Sequence, residues 1–209
     1  MTGSTIRVAI NGYGVIGKRV ADAVRVMPDM ELVGVADVIG DWRIRTAVGH
    51  GITMFAATEQ ADATMRAGGV PVAGRLEDLL AIVDVVLDTT PKKVSATNLG
   101  RYRAAGVKAV FQGGESHATT GHSFVAQANY ATAVGRDMTR VVSGNTTSVV
   151  GVLGALQDGG LLARARGVLI RRATDPGESH LGGVMNPVVP EVSIPSRQGP
   201  DARTRATGS

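Results

Sequence analysis

Cysteine is absent from this chain of 209 residues, which removes disulfides, thiolate metal sites and cysteine nucleophiles from it as written. Aromatic residues make up only 3%, and no basic stripe interleaves with stacking rings. The formal charge of +4 therefore gives no sign of nucleic acid, and the arginines read as solvated surface or anion ligands. No run reaches the roughly 18 uninterrupted apolar residues of a membrane helix. The opening Met1-Thr2-Gly3-Ser4-Thr5 lacks the basic region and long apolar core of a secretory signal. A cytoplasmic protein with no membrane partner is expected. What is present, 44% hydrophobic and 19% charged residues, lies in the range of folded globular chains. The length amounts to about one and a half domains.

The first part of the chain alternates short, valine-rich apolar runs with longer amphipathic ones, the rhythm of parallel strands joined by crossover helices. Strands are expected at Ile6–Ile10, Glu31–Ala36, Val83–Asp88, Val107–Gln112 and Thr139–Val142. Their near-continuous apolar character suits a sheet covered on both faces. Helices are expected at Ile16–Met27, stopped by Pro28, and at Ala57–Arg66, Leu76–Leu80 and Lys93–Ala104, the last with Gly106 as C-cap. Beyond Val142 a polar stretch able to cap leads into a helix at Val149–Leu156, and Val168–Arg172 reads as a further strand. Closely spaced prolines then break the pattern. The expected fold is α/β: a Rossmann-type doubly wound parallel sheet over residues 1–142, followed by an incomplete α+β catalytic domain over 143–209.

Gly12-Tyr13-Gly14-Val15-Ile16-Gly17 fits the dinucleotide fingerprint, with a strand before it and a helix after it. Gly12 permits the tight turn, Gly14 lets backbone approach a pyrophosphate, and Gly17 lets helix and strand pack closely. The amides opening the helix at Val15 and Ile16 face the phosphates. Asp37, 20 residues beyond Gly17 at the end of the second strand, is placed to hold a ribose 2′-hydroxyl. Its charge opposes the extra phosphate of NADP, so the reading is NAD, with NADP still open because Arg43 or Arg45 could receive a phosphate. An acid that merely ends the strand and faces solvent is the alternative. Thr89-Thr90-Pro91 and Gln112-Gly113-Gly114-Glu115 both follow strands, where ligands bind in open α/β sheets, and are expected to line the nicotinamide side. No metal ligand is assigned.

These segments, together with Ile10-Asn11 and Lys18-Arg19-Val20, with Arg140 to Thr147, the pair Arg171-Arg172, and Pro195 to Asp201, resemble the archaeal-type (type II) glyceraldehyde-3-phosphate dehydrogenases. The resemblance runs in order across about the whole chain. It implies oxidation and phosphorylation of a phosphorylated aldehyde, with NAD or NADP taking the hydride, in a homotetramer. It further implies that Ser143, Asn145, Thr146, Arg171, Arg197 and Gln198 surround substrate, and that Arg172 joins Thr90, Pro91, Gly113 and Gly114 at the cofactor. For Asn145, Thr146 and Thr147, capping of the next helix is equally compatible.

Three departures from the family pattern bear on activity. Gly144 stands where the family carries its nucleophilic cysteine, Arg197 and Gln198 replace paired histidines, and the chain ends at Ser209, short of the family's length and of its general-base histidine. His50, His117, His122 and His180 are expected to be ordinary loop or surface residues. The expectation is a homologue that binds NAD and whose family chemistry is impaired in this chain, forming a homo-oligomer if the interface survives. The alternative is a non-catalytic NAD-binding regulatory or interaction subunit. A further possibility is a different Rossmann oxidoreductase recruiting Glu115, His117 or Lys92.

Overall fold

Eight strands lie side by side in the order β4-β3-β2-β1-β5-β6-β8-β7 in the computed structural model, which describes residues 4–91, 93–112, 114–170, 199 and 202. β1 (Ile6–Asn11) runs parallel to both β2 (Met30–Asp37) and β5 (Val85–Asp88). Outward from β2 come β3 (Met54–Ala56) and β4 (Val72–Arg75). Outward from β5 come β6 (Lys108–Phe111), β8 (Met138–Val141) and the two-residue β7 (Ser123–Phe124). Successive strands spread leftward from β1 and then rightward from β5, so the strand order reverses between β1 and β5. Ligands of open α/β sheets enter at such a switch point.

The helices follow from capping as much as from periodicity. α1 (Val15–Arg25) buries Gly17, Ala21 and Val24. α2 (Trp42–Gly49) starts where the Asp41 carboxylate accepts the Arg43 amide, and α3 (Glu59–Ala67) where the Thr58 hydroxyl accepts the Ala61 amide. The expected helix over 57–66 therefore begins two residues late: its first two positions are loop and cap. α4 (Leu76–Leu80) buries three leucines, and α5 (Val94–Ala105) ends on the left-handed Gly106. Two apolar clusters form the core of this part. One is centred on Phe55, Leu76, Leu79, Tyr102 and Phe111; the other on Ile10, Ile44, Met54 and Met65.

Contacts divide the chain into two units, one of Met1–Ser123 with Gly135–Val141, the other of Phe124–Val134 with Val142–Ser209. The first holds most of the sheet and α6 (His117–Thr120). The second contains α7 (Ala126–Ala133), kinked at Asn129, and α8 (Gly144–Asp158), with Val125, Val142 and Val150 buried together. α8 starts five residues earlier than the apolar run suggests, because Ser143 caps it.

The strand expected at Val168–Arg172 does not form over its described residues. Val168, Leu169 and Ile170 carry no secondary structure and are 88%, 43% and 85% exposed. A β-branched run needs a pairing edge to become a strand, and among the described residues none pairs with it. Among the described residues no helix is long and apolar enough to cross a membrane.

Candidate functional site

The carboxyl ends of β1, β2, β5 and β6 bring the fingerprint residues together. Gly12 has φ 96°, a backbone state that disfavours a side chain, and its amide donates to the Ala36 carbonyl at 2.8 Å. A Cβ there would lie 3.0 Å from the Thr90 amide nitrogen. Gly17 is tighter: a Cβ would lie 2.0 Å from the Gly12 carbonyl oxygen and 2.8 Å from Thr89 Oγ1. Gly14 is the opposite case, with nothing within 4 Å of a would-be Cβ among the described residues. It is the N-cap of α1, no side chain caps the helix, and no acid lies in its first turn. Val15 and Ile16, 62% and 45% exposed, face outward beside it. A helix N-terminus with no side-chain cap, open frontage and no carboxylate in its own first turn can hold an anion.

Asp37 does not end in solvent. It is buried, its Oδ2 accepts the Tyr13 amide at 2.5 Å, and its Oδ1 accepts the amides of Val38 and Ile39 at 2.6 and 3.1 Å. Counting two lone pairs per oxygen, Oδ2 keeps one that no donor among the described residues takes up. The carboxylate thus fastens the glycine loop to the end of β2 while retaining its ligand capacity. The arginines proposed to receive a phosphate have other partners. Arg43 forks onto Asp41 at 2.8 and 2.6 Å and holds that carboxyl below its usual range, while Arg45 donates to the carbonyls of Gly40 and Gly68.

On the other side of the switch point lies a buried polar network that sequence reasoning missed. Asp88, the last residue of β5, is fully buried and accepts four hydrogen bonds: from the Thr90 amide (2.9 Å), Thr90 Oγ1 (2.6 Å), Asn98 Nδ2 (3.0 Å) and Tyr102 Oη (2.5 Å). Asn11, the last residue of β1, donates Nδ2 to Tyr102 Oη at 2.8 Å. Burial and the Asp88 charge push the Tyr102 hydroxyl well above its ordinary pKa, so it stays a donor. Thr90 therefore turns its hydroxyl inward to Asp88. Thr89 Oγ1 donates to the Gly12 carbonyl at 2.6 Å, joining the two loops across the crevice. Lys93, just beyond Pro91, has φ 82°, the single positive value at a non-glycine residue among those described. Such strain concentrates at ligand-facing loops.

The loop after β6 is held from below. Arg140 is buried and donates Nη1 to the Glu115 carbonyl at 2.9 Å and Nε to Ser123 Oγ at 2.7 Å. His117 Nδ1 lies 2.9 Å from Ser123 Oγ. His122 is a loop residue, as expected, but a buried one, with Nδ1 2.7 Å from Thr139 Oγ1, because the left-handed Gly121 turns it back onto β8. In the second unit, Ser143 Oγ accepts the Thr146 amide at 3.2 Å and lies 2.9 Å from Thr146 Oγ1. Thr146 is buried, whereas Ser143 and Gly144 are exposed, and a Cβ on Gly144 would meet nothing within 4 Å among the described residues. Gly113, Arg171, Arg172, Arg197 and Gln198 lie outside the described residues.

A protein-family model described as "Dihydrodipicolinate reductase, N-terminus" matches residues 6–146, the stretch that contains β1 to β8. The chain belongs to this family. Its sheet is a Rossmann-like NAD-binding fold. Curated relatives that match almost the whole of this chain are longer, and come from archaea. Glyceraldehyde-3-phosphate dehydrogenase of Thermococcus kodakarensis is 48% identical over 199 residues, covering 95% of this chain and 59% of that one. The enzyme of that name from Methanothermobacter thermautotrophicus is 42% identical over 204 residues, covering 97% and 60%. This member of the family is thus a homologue of those dehydrogenases, and it spans about 59% of the length of the first. Among solved structures, an NAD-binding protein from Listeria innocua is 15% identical with a TM-score of 0.49, covering 75% of this chain and 41% of that one.

Proposed function

We propose that residues 1–142 of this glyceraldehyde-3-phosphate dehydrogenase homologue are its NAD-binding domain and that the chain binds NAD without performing the relatives' oxidation. The observation that carries the reading is the unobstructed N-terminus of α1 at Gly14, with no side-chain cap and no acid in its first turn. In this reading the amides of Val15 and Ile16 hold the pyrophosphate and Asp37 holds the adenosine ribose. Thr90, Pro91 and the Gly113-Gly114 loop line the nicotinamide side, and kinship assigns Arg172 a cofactor role. When bound, NAD supplies a hydride acceptor. The chain's own part is to bind and orient it: Asp88 holds Thr90 in place, and Arg140 holds the loop ending at Glu115.

Kinship supports a phosphorylated aldehyde as the substrate class, with Ser143, Asn145, Thr146, Arg171, Arg197 and Gln198 around it, and a cytoplasmic homo-oligomer as its setting. Gly144 has no nucleophile to offer the aldehyde. The geometry of its neighbours supports a capping role for Ser143, whose oxygen accepts the Thr146 amide. Calorimetry with NAD tests the cofactor reading: saturable heat is expected, and none at millimolar NAD or NADP refutes it. Phosphate-dependent NAD reduction with glyceraldehyde 3-phosphate tests the second half: no turnover is expected, and an ordinary turnover number refutes impairment.

A further inference from the structure

Three features of the first unit gather at the corner where β2 meets the glycine loop. Trp42, the first residue of α2, is 64% exposed, a large apolar surface to leave in water. The Lys18 ammonium, from the first turns of α1, lies 5.4 Å from the centroid of the Trp42 ring and 5.8 Å from that of Tyr13. Tyr13 itself is buried, and its amide is the one Asp37 accepts. Lys18 thus ties the exposed indole to the loop that faces the pyrophosphate and to the acid that faces the ribose. Cation–π contacts of this length hold a ring in place at modest cost. Among the described residues no carboxylate pairs with Lys18, so the ammonium is committed to the two rings.

In a dinucleotide the base hangs from the ribose. A ribose on Asp37 therefore carries its adenine toward the segment that follows Asp37, residues 38–42, which ends in this indole. A flat, electron-rich base and a fixed, exposed aromatic face are complementary, and stacking of that kind needs no base-edge hydrogen bonds. We propose that Trp42 is the adenine platform of the cofactor site, positioned by Lys18. The proposal rests on the NAD reading above and names the group that recognises the adenosine half. It also accounts for an exposed tryptophan that packing does not require.

The chain contains one tryptophan, so its intrinsic emission reports on this position alone. ADP-ribose and NAD should each shift or quench the emission saturably, whereas nicotinamide mononucleotide at the same concentrations should leave it unchanged. By calorimetry, Trp42→Ala should weaken both ADP-ribose and NAD by roughly 5- to 150-fold, and Trp42→Phe should recover most of that loss. The unfolding temperatures of both variants should stay at the unsubstituted value, because the ring is exposed. If the unsubstituted chain binds NAD but ADP-ribose leaves the emission unmoved, or Trp42→Ala binds as tightly, the platform is refuted while the cofactor reading stands. An equal response to nicotinamide mononucleotide also refutes it. Absence of NAD binding by the unsubstituted chain refutes both.

Discussion

Replacing Asp88 tests whether the buried network holds the switch point together. Asp88→Ala removes the acceptor of four hydrogen bonds. The Thr90 hydroxyl can turn to Ser95 Oγ, 3.3 Å away, and the Tyr102 hydroxyl toward Asn11, but the Thr90 amide and Asn98 Nδ2 are left as buried donors. Hydrogen bonds to a charged group contribute about 1.5–3 kcal/mol each. Releasing the buried carboxylate returns several kcal/mol of desolvation. The net loss expected is about 3–6 kcal/mol, a large part of a typical domain's stability. Asp88→Asn should cost far less. Its oxygen keeps both Thr90 donors, and its amide can donate to Asn98 Oδ1 once that side-chain amide flips and to Tyr102 Oη once that hydroxyl turns toward Asn11, whose Oδ1 has no hydrogen-bond partner among the described residues. About 1–2 kcal/mol is expected. At roughly 2–4 °C per kcal/mol for a chain of this size, the melting temperature should fall about 6–24 °C for the alanine variant and 2–8 °C for the asparagine one. Trp42 emission follows the unit that contains the network, which keeps the readout clear of the second unit's own unfolding. An alanine variant within about 3 °C of the unsubstituted chain, or an asparagine variant as damaged as the alanine one, would refute the reasoning.

Gly17→Val should abolish NAD binding in calorimetry, since even a Cβ would overlap the Gly12 carbonyl. Retained affinity would mean that the loop is not held as described. Gly144→Cys should fold with unchanged melting temperature, because no described atom lies within 4 Å of the new Cβ, and its thiol, at the start of α8, should titrate below the ordinary value of about 8.5. Thiol-reagent kinetics against pH on this otherwise cysteine-free chain check that directly. Arg7 hydrogen-bonds Asp84 and holds its carboxyl below the usual range. That contribution is present above the unfolded value near 3.9 and is lost as pH falls through the lower folded value. Arg7→Met should therefore lower the melting temperature at pH 7, with the gap closing below about pH 4. A gap that persists at pH 2 would exclude the ion pair as its cause.

Periodicity and glycine spacing made the β1–α1–β2 unit and β5 legible, because each has enough apolar residues to set a pattern. β3 and β4 were not. Met54–Ala56 is three residues, all buried, and Val72–Arg75 is four, too short for alternation to register. α2 had a visible cap in Asp41, yet its apolar face amounts to Ile44 and Ala47. The cofactor fingerprint was readable because glycine and a following acid are local signals. The Asp88 network was not, since Asn11 and Tyr102 lie 91 positions apart and meet only after α5 packs on the sheet. The polar residues ending two apolar strands, Asn11 and Asp88, were the one available hint. Val168–Ile170 misled because β propensity describes a residue's fit to a sheet and not the presence of a neighbour.

The hydroxyl of Thr89 on the Gly12 carbonyl fastens the crevice's two rims to each other by a bond within the chain itself. A receptor whose rims are already locked gives up little conformational freedom on association. Cofactor capture should then follow a single kinetic phase with no slow isomerisation, and Thr89→Val, which unlatches the rims while sparing the amides of Val15 and Ile16, should show itself as a slower, two-step approach to equilibrium.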